Sequence, residues 1–184
     1  MKAINVIKTA LLMINESDLY NHLNGVQSEQ EKFNQDKELL IKSLNEALYS
    51  VSEYYPLVEE ERHAPINGKI EYKNLRNSPY KIVSVKGING EGVLAEIFPT
   101  YIQTSSECNV TYKYYAKVES LEDEIPYSST AITENTLAYG LISEFLTYKG
   151  RFNEALSYSD RFVECLIKAR NFLRRKKLSA RKWF

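Results

Sequence analysis

The chain alternates between two hydrophobic periods, helical at both ends and strand-like in the middle. In residues 3–14 apolar side chains recur every three or four positions, which predicts a first helix with one buried face. The same spacing predicts a long helix over about 29–53, and Ser28 and Glu31 ahead of it have the spacing of a capping box. The polar stretch 15–30 between the two helices shows no period and is expected to be a loop.

Between residues 69 and 118 the apolar positions have the pattern of short strands. β-branched and aromatic residues come in short runs divided by turn residues, the longest division being a glycine-rich stretch at 87–92. The pattern predicts a small antiparallel sheet in which 80–86 and 93–98 form a hairpin across that stretch. The preceding stretch 57–68 is rich in glutamate, proline and glycine, and we expect it to be a solvated turn.

The last third of the chain returns to helical spacing. Thr133 and Thr136 flank the start of a segment whose apolar residues form a doubled stripe, which predicts a helix buried on a broad face. Gly150 has the position of a left-handed C-terminal cap, and helical spacing resumes at once at Phe152. Two helices joined so tightly must lie antiparallel, so residues 133–175 are expected to form a helical hairpin.

The order of helices, sheet and helical hairpin predicts an α+β fold. We expect a helical bundle, made of a long central helix and the C-terminal hairpin, with a small antiparallel β-sheet inserted into it. A chain of 184 residues, 43% of them hydrophobic, suffices for one domain or two small ones, and we expect a single domain over 1–184. Its parts are the N-terminal helices (1–56), the β-sheet insertion (69–118), the helical hairpin (133–175) and a basic C-terminal tail (176–184).

Charge is balanced over the chain but unevenly distributed along it. Of the 24 basic residues eight lie in 168–184, which contains no acidic residue, so residues 1–167 carry a formal net charge of −8. Because Trp and Arg side chains often carry interface energy, the end of the basic stretch is expected to be a docking tail. The alternative is a solvated helix end, with Trp183 folded back onto the sheet. This stretch ends in Ala180-Arg181-Lys182-Trp183-Phe184.

The sequence contains no motif that indicates catalysis. It has no glycine-rich dinucleotide or phosphate loop, no His-Glu-x-x-His and no Gly-x-Ser-x-Gly. Two cysteines, Cys108 and Cys165, and two histidines, His22 and His63, form no recurrent zinc spacing. Cys165 is expected to be a buried small hydrophobe, and His63 a pH-sensitive surface residue. We therefore expect no enzyme activity, no cofactor and no metal.

No apolar run approaches the length of a membrane span. The longest, around residues 10–14, is far short of the roughly 20 residues that cross a bilayer. The first residues also lack the apolar core and the cleavage site of a signal peptide. We therefore expect a soluble, cytosolic chain with no membrane partner.

Tyrosine is abundant, with 14 residues, and six of them fall in the predicted sheet. Together with nearby lysines they could form a stacking platform for single-stranded nucleic acid. Alternatively, the tyrosines suit a sheet with one solvent-exposed face that makes protein contacts. Acidic neighbours nearly cancel the charge of the lysines. This favours protein contacts, because a site that binds a polyanion should have a clear excess of positive charge. The six are Tyr72, Tyr80, Tyr101, Tyr112, Tyr114 and Tyr115.

The helical hairpin and the tail after it contain the stretches Leu137-Ala138-Tyr139-Gly140, Ser143-Glu144-Phe145, Lys149-Gly150-Arg151-Phe152-Asn153-Glu154-Ala155, Arg161-Phe162-Val163-Glu164 and Ala180-Arg181-Lys182-Trp183. In these stretches the chain resembles the head-to-tail connector, or neck adaptor, proteins of tailed bacteriophages and prophages. Likeness in residues covers about 135–183. The order of elements is similar over most of the chain, from a long helix ending in Tyr54-Tyr55-Pro56-Leu57 to an acidic linker ending in Ile125-Pro126.

The resemblance implies a structural virion protein located in the neck, between capsid and tail, and assembled in the cytoplasm of the host bacterium. About twelve copies would form a ring that binds the portal and extends the DNA channel toward the stopper and tail. Such adaptors dock on the portal through their C-terminal segment. The resemblance therefore predicts that the residues that bind the portal are Arg174, Arg175, Lys176, Lys177, Arg181, Lys182, Trp183 and Phe184. Basic residues would also touch phage DNA transiently and without sequence preference. The alternatives are another tail-region protein, a stopper or tail terminator, and a nucleic-acid-binding module.

Overall fold

The computed structural model describes residues 1–25, 30–127 and 131–174. In these residues five α-helices and six β-strands confirm the α+β class. The helices are α1 (Ala3–Met13), α2 (Ser17–Leu23), α3 (Gln30–Tyr54), α4 (Glu134–Tyr148) and α5 (Phe152–Arg174). The strands are β1 (Leu57–His63), β2 (Lys69–Glu71), β3 (Pro79–Gly87), β4 (Ala95–Ile97), β5 (Tyr101–Thr104) and β6 (Cys108–Tyr114). The chain divides into a helical unit, formed by 1–55 and the chain from Ala116 onward, and a sheet unit, Pro56–Tyr115.

Helix α4 is the centre of the helical unit, packed against α1, α3 and α5. It begins where the Thr133 side chain accepts a hydrogen bond from the backbone N–H of Thr136, 3.2 Å away. Its apolar residues are buried on several sides, which confirms the broad buried face predicted from the doubled stripe. The fully buried members include Leu137, Ala138, Leu141, Ile142 and Leu146.

The α4–α5 connection is the predicted hairpin. Gly150 adopts a left-handed conformation with φ of 76°, and the N–H of Arg151 donates to the carbonyl of Leu146 at 2.9 Å. Further along the pair, a Cβ at Gly140 of α4 would lie only 2.8 Å from the ring of Phe162 in α5. The two helices therefore run antiparallel and in close contact.

The N-terminal helices confirm two predictions and correct one. Helices α1 and α3 occupy the predicted ranges, while the predicted cap residue Ser28 lies outside the described residues. The expected loop over 15–30 was wrong for its first half, because α2 spans Ser17–Leu23. Helix α2 buries none of its residues, so it leaves no hydrophobic period in the sequence.

The sheet unit contains two three-stranded antiparallel sheets where the sequence predicted one. Their strand orders are β1-β6-β3 and β2-β5-β4. The predicted hairpin between 80–86 and 93–98 was wrong, because β3 pairs with β6 and β4 pairs with β5. Around these strands, the core contains Ile70, Leu75, Ile102, Cys108, Val110 and Tyr112.

Strand β1 lies in the stretch that the sequence analysis expected to be a solvated turn. It pairs along its whole length with β6, with Glu59 opposite Tyr112 and Glu61 opposite Val110. Tyr112 and Val110 are fully buried, so both glutamates occupy the inner face of the sheet. Carboxylates on an inner face are tolerated only with hydrogen-bonding partners, and those partners form the network described below.

Candidate interaction surfaces

Helix α5 carries two apolar faces, one buried in the helical unit and one exposed. The buried face consists of Ala155, Phe162, Leu166 and Ala169. The exposed face, here called the apolar stripe, consists of Phe152 (66% exposed), Leu156 (63%), Val163 (40%) and Ile167 (49%). At 3.6 residues per turn these four side chains lie within about 60° of one another around the helix axis. The stripe therefore runs along one side of α5 as two apolar pairs, Phe152 with Leu156 and Val163 with Ile167, separated by Ser159 and Asp160.

The stripe leads into the stretch of the chain with the highest positive charge. Near the end of α5 Lys168 and Arg170 are exposed, and they begin the basic segment, residues 168–184. The ammonium of Lys168 is 3.0 Å from a carboxylate oxygen of Glu164, one turn earlier. Of the eight predicted partner-binding residues, Arg174 is the last residue of α5. The others, Arg175, Lys176, Lys177, Arg181, Lys182, Trp183 and Phe184, lie outside the described residues.

The sequence analysis predicted this helix from the helical spacing that resumes at Phe152, and the structure exposes both Phe152 and Leu156. The sequence did contain a signal for this exposure, namely the width of the apolar pattern around α5. Positions 152, 156, 163 and 167 repeat the spacing of the buried face but are offset from it, so apolar residues cover more of the helix than one neighbour buries. An overly wide apolar face of this kind indicates a second contact.

An acidic surface lies on α3 and α4 of the same unit. Glu38, Glu46 and Glu53 are exposed along α3, and Glu144 of α4 is half-buried. Burial raises the pKa of Glu144, and the charge of Glu46 raises it further. The nearby Lys42 ammonium lies over the ring of Tyr148, 4.5 Å from its centroid. Among the described side chains of α3, the exposed glutamates thus outnumber the exposed lysine, Lys42, while the basic segment begins near the end of α5.

The inner-face glutamates of β1 bind the loop between β2 and β3. The guanidinium of Arg76 donates to Glu59 at 3.1 Å, and the Asn77 side-chain amide donates to the same carboxylate at 2.6 Å. The backbone N–H of Arg76 donates to Glu61 at 3.0 Å. Each carboxylate is thus occupied by donors of the protein itself, and the network holds the loop against β1.

Tyr112 and His63 complete the network around Glu61. The Tyr112 hydroxyl donates to Glu61, and the His63 ring nitrogen lies 3.1 Å from the other carboxylate oxygen. Burial alone would raise the pKa of Glu61, but hydrogen bonds from Tyr112, His63 and the Arg76 backbone outweigh it and lower that pKa. Burial first, and then the bond to Glu61, raise the pKa of Tyr112. His63, expected on the surface, has a side chain only 20% exposed because it packs into this network.

The tyrosines of the sheet unit do not form an open platform. Tyr112 is fully buried, and the Tyr72 hydroxyl donates to the carbonyl of Phe98 at 2.8 Å. Tyr80 stacks on Tyr115 with ring centroids 4.2 Å apart. These rings contact one another or the backbone, so the arrangement favours protein packing over the stacking of nucleic-acid bases.

The other candidate residues are the two cysteines and His22. Cys108 is buried, and burial followed by the charge of Glu107 raises the pKa of its thiol, whereas Cys165 is only half-buried rather than buried as expected. The ring of His22 lies against that of Phe33, with centroids 3.5 Å apart. Among residues 1–25, 30–127 and 131–174 no group of three metal-ligating side chains comes together. No helix in that part of the chain is long and apolar enough to cross a membrane.

Comparison with known proteins gives the chain no family. No protein-family model matches it, and no curated protein matches it.

Proposed function

We propose that the chain is a structural virion protein of tailed bacteriophages, a neck adaptor. Its copies form a ring of about twelve, bind the portal and extend the DNA channel toward the stopper and tail. It is assembled in the host bacterial cytoplasm and catalyses no reaction. The observation that carries this proposal is the apolar stripe of α5, because it runs directly into the basic segment.

The stripe has the properties of a surface that is covered in an assembly. Phe152 and Leu156 each expose more than 60% of their surface, although the same helix buries Phe162 and Leu166. Burying apolar surface stabilises a complex by about 25 cal/mol per Å² before the costs of association. Large exposed apolar surfaces on soluble proteins typically mark partner contacts. Helix α5 and the residues after it therefore suit a docking arm for the portal.

The separation of charge supports a ring of identical copies. A subunit whose acidic and basic surfaces differ can repeat one contact from copy to copy, and such a head-to-tail contact closes into a ring when the rotation allows it. Complementary charge sets the register of that contact more than its strength. In such a contact the acidic surface on α3 would supply the negative charge, and the basic segment would supply the positive charge. Basic residues that face the channel would contact phage DNA only transiently.

The experiment is a binding assay with purified portal protein encoded by the same phage or prophage genome. Wild-type chain should comigrate with portal in size-exclusion chromatography, and deletion of residues 174–184 should abolish the complex. The double substitution Leu156→Asp and Ile167→Asp should weaken binding at least tenfold, because it places two charges in the contact. Ser157→Asp is the matched control, since Ser157 is exposed on the same helix next to the stripe.

Three results would contradict the proposal. Unchanged portal binding after the deletion would remove the docking role of the basic segment. Equal loss of binding in the Ser157→Asp control would show that added negative charge alone weakens the complex. Binding to the end of the tail tube, with none to the portal, would indicate a tail terminator instead.

A further inference from the structure

A groove on the surface of the sheet unit is lined by aromatic rings and prolines. It consists of two adjoining depressions, of about 580 Å³ and 340 Å³, which share Tyr72, Pro79 and Pro99. This surface, here called the aromatic groove, lies entirely within residues 69–101. Shallow grooves with aromatic and proline walls suit extended peptides, particularly in the polyproline II conformation.

The walls of the aromatic groove are held in place by contacts within the sheet unit. The backbone N–H of Tyr72 donates to the carbonyl of Thr100 at 3.0 Å, and its hydroxyl donates to the carbonyl of Phe98. Phe98 and Tyr101 stack with centroids 4.7 Å apart and ring planes 15° apart. The groove is therefore preformed, which reduces the entropy lost when a ligand binds.

The rim of the aromatic groove carries three lysines and one glutamate, Glu71, and so has an excess of positive charge. Lys69 and Lys73 line the larger depression and Lys81 lines the smaller one, and all three are exposed. The Lys69 ammonium lies 4.6 Å from the centroid of the Tyr101 ring, and Lys73 is paired with Glu71. Lysines around an apolar floor complement carboxylates on a ligand that also carries apolar side chains.

We propose that the aromatic groove binds an extended acidic segment of a partner protein, one that carries proline or aliphatic side chains between its carboxylates. The prolines and ring edges accept the apolar side chains, and the lysines at the rim receive the carboxylates. The site lies in the sheet unit, whereas the proposed portal contact lies in the helical unit. The inference therefore goes beyond the proposed function and does not depend on it.

Single-stranded nucleic acid fits the same groove less well. Recognition of bases requires open ring faces on which they can stack. The Tyr101 ring is stacked on Phe98 and has the Lys69 ammonium over it. Tyr80 at the other depression is stacked on Tyr115. Both tyrosine rings thus already have a stacked partner, and two prolines line the groove beside them, which favours a peptide.

The test is a nuclear magnetic resonance titration of the full chain with three probes. The first is a synthetic peptide of about ten residues that alternates glutamate with proline and leucine; the second replaces its glutamates with lysines; the third is decathymidylate. The acidic peptide should produce saturable shifts in the backbone amide signals of Tyr72, Lys73 and Tyr101. The lysine peptide and decathymidylate should bind at least tenfold more weakly.

A charge-reversal variant tests whether the lysines at the rim contribute to binding of the acidic peptide. Lys69→Glu combined with Lys81→Glu should weaken binding of the acidic peptide at least tenfold, because both lysines would become repulsive. Both side chains are exposed, so signals outside the groove should keep their positions. Lys117→Glu, an exposed lysine in the helical unit, is the matched control and should leave binding unchanged.

Each of the following results would overturn the inference. Tighter binding of decathymidylate than of the acidic peptide would make the groove a nucleic-acid site. Equal binding of the lysine peptide would remove the role of the rim. Absence of saturable shifts at millimolar acidic peptide, or an equal effect of the Lys117→Glu control, would exclude the groove as the binding site.

Discussion

Gly140 is the residue on which the packing of three helices depends. Its missing side chain lets the Phe162 ring of α5 and the Ala47 methyl of α3 approach α4 closely. A Cβ at Gly140 would lie 2.8 Å from that ring and 2.9 Å from that methyl. Glycine normally weakens a helix by about 1 kcal/mol relative to alanine, and here the close packing explains its presence.

We therefore predict that Gly140→Ala destabilises the protein. The added methyl forces α3 or α5 outward, and overpacking of this kind costs about 1–3 kcal/mol, more than the gain in helix propensity. Urea unfolding at neutral pH measures the change. Ser157→Ala, on the exposed side of α5, should be neutral or slightly stabilising. A more stable Gly140→Ala protein would show that the three helices are not in close contact.

Glu61 should make the free energy of unfolding depend on pH. Its pKa is lowered in the folded protein, so the folded state favours the carboxylate and gains stability above the ordinary glutamate pKa of about 4.3. That contribution is lost as the pH falls through the lowered pKa. Glu61→Gln should cost about 1–3 kcal/mol at pH 7 and flatten the decline in stability at acid pH.

The measurement for Glu61 is a series of urea unfolding curves between neutral and acid pH. Glu60→Gln is the control, because Glu60 lies on the opposite face of β1 and accepts only a 3.3 Å hydrogen bond from Thr111. Glu60→Gln should retain the wild-type dependence on pH. A Glu61→Gln protein with the same acid decline as wild type would exclude the network as its source.

Glu144 should have the opposite effect. Its pKa is raised by burial and by Glu46, so the charged form is disfavoured in the folded state and stability falls as the pH rises through that pKa. Glu144→Gln should therefore stabilise the protein at pH 7, by up to about 1 kcal/mol, and leave it unchanged at acid pH. Thermal unfolding at both pH values is the measurement. Destabilisation at pH 7 would mean that the carboxylate has a favourable partner.

At the scale of elements, the start of α4 depends on one side chain. Thr133 accepts a hydrogen bond from the N–H of Thr136, one of the helix donors that have no partner within the helix. Thr133→Ala should cost about 1 kcal/mol in the free energy of unfolding, and Thr133→Ser should retain most of the stability. Denaturant titration distinguishes the two. Equal stability of both variants would show that the cap contributes nothing.

The helices could be predicted from sequence because each buries a face along its own length. The apolar positions of α1, α3 and α4 repeat locally, and Gly150 marks the turn into α5. Helix α2 was missed because it buries nothing. The sequence pattern therefore reveals a helix only when that helix buries an apolar face.

The strands were predicted less well because their partners are distant in sequence. Strand β1 looked like a solvated turn, since the donors that stabilise Glu59 and Glu61 come from Arg76, Asn77 and Tyr112. The expected hairpin assumed that neighbouring strands pair, whereas β3 pairs with β6. No local pattern contains either of these long-range contacts.

In the whole molecule, only one of the two parts of the candidate docking surface could be predicted from the sequence. The basic segment is evident in the sequence as eight cations without an acid. The exposure of the apolar stripe, in contrast, depends on which faces of α5 the other helices cover. Sequence pattern assigns both apolar faces of α5 to a core, and only the packed helices distinguish the buried face from the exposed one.

The proposed function requires that copies of this chain form a ring on a portal. Electron microscopy of portal particles, with and without an excess of the wild-type chain, would show such a ring. We predict an additional ring, coaxial with the portal and absent from the portal alone, which disappears when residues 174–184 are deleted. Portal particles that look the same with and without the chain would exclude the proposed ring.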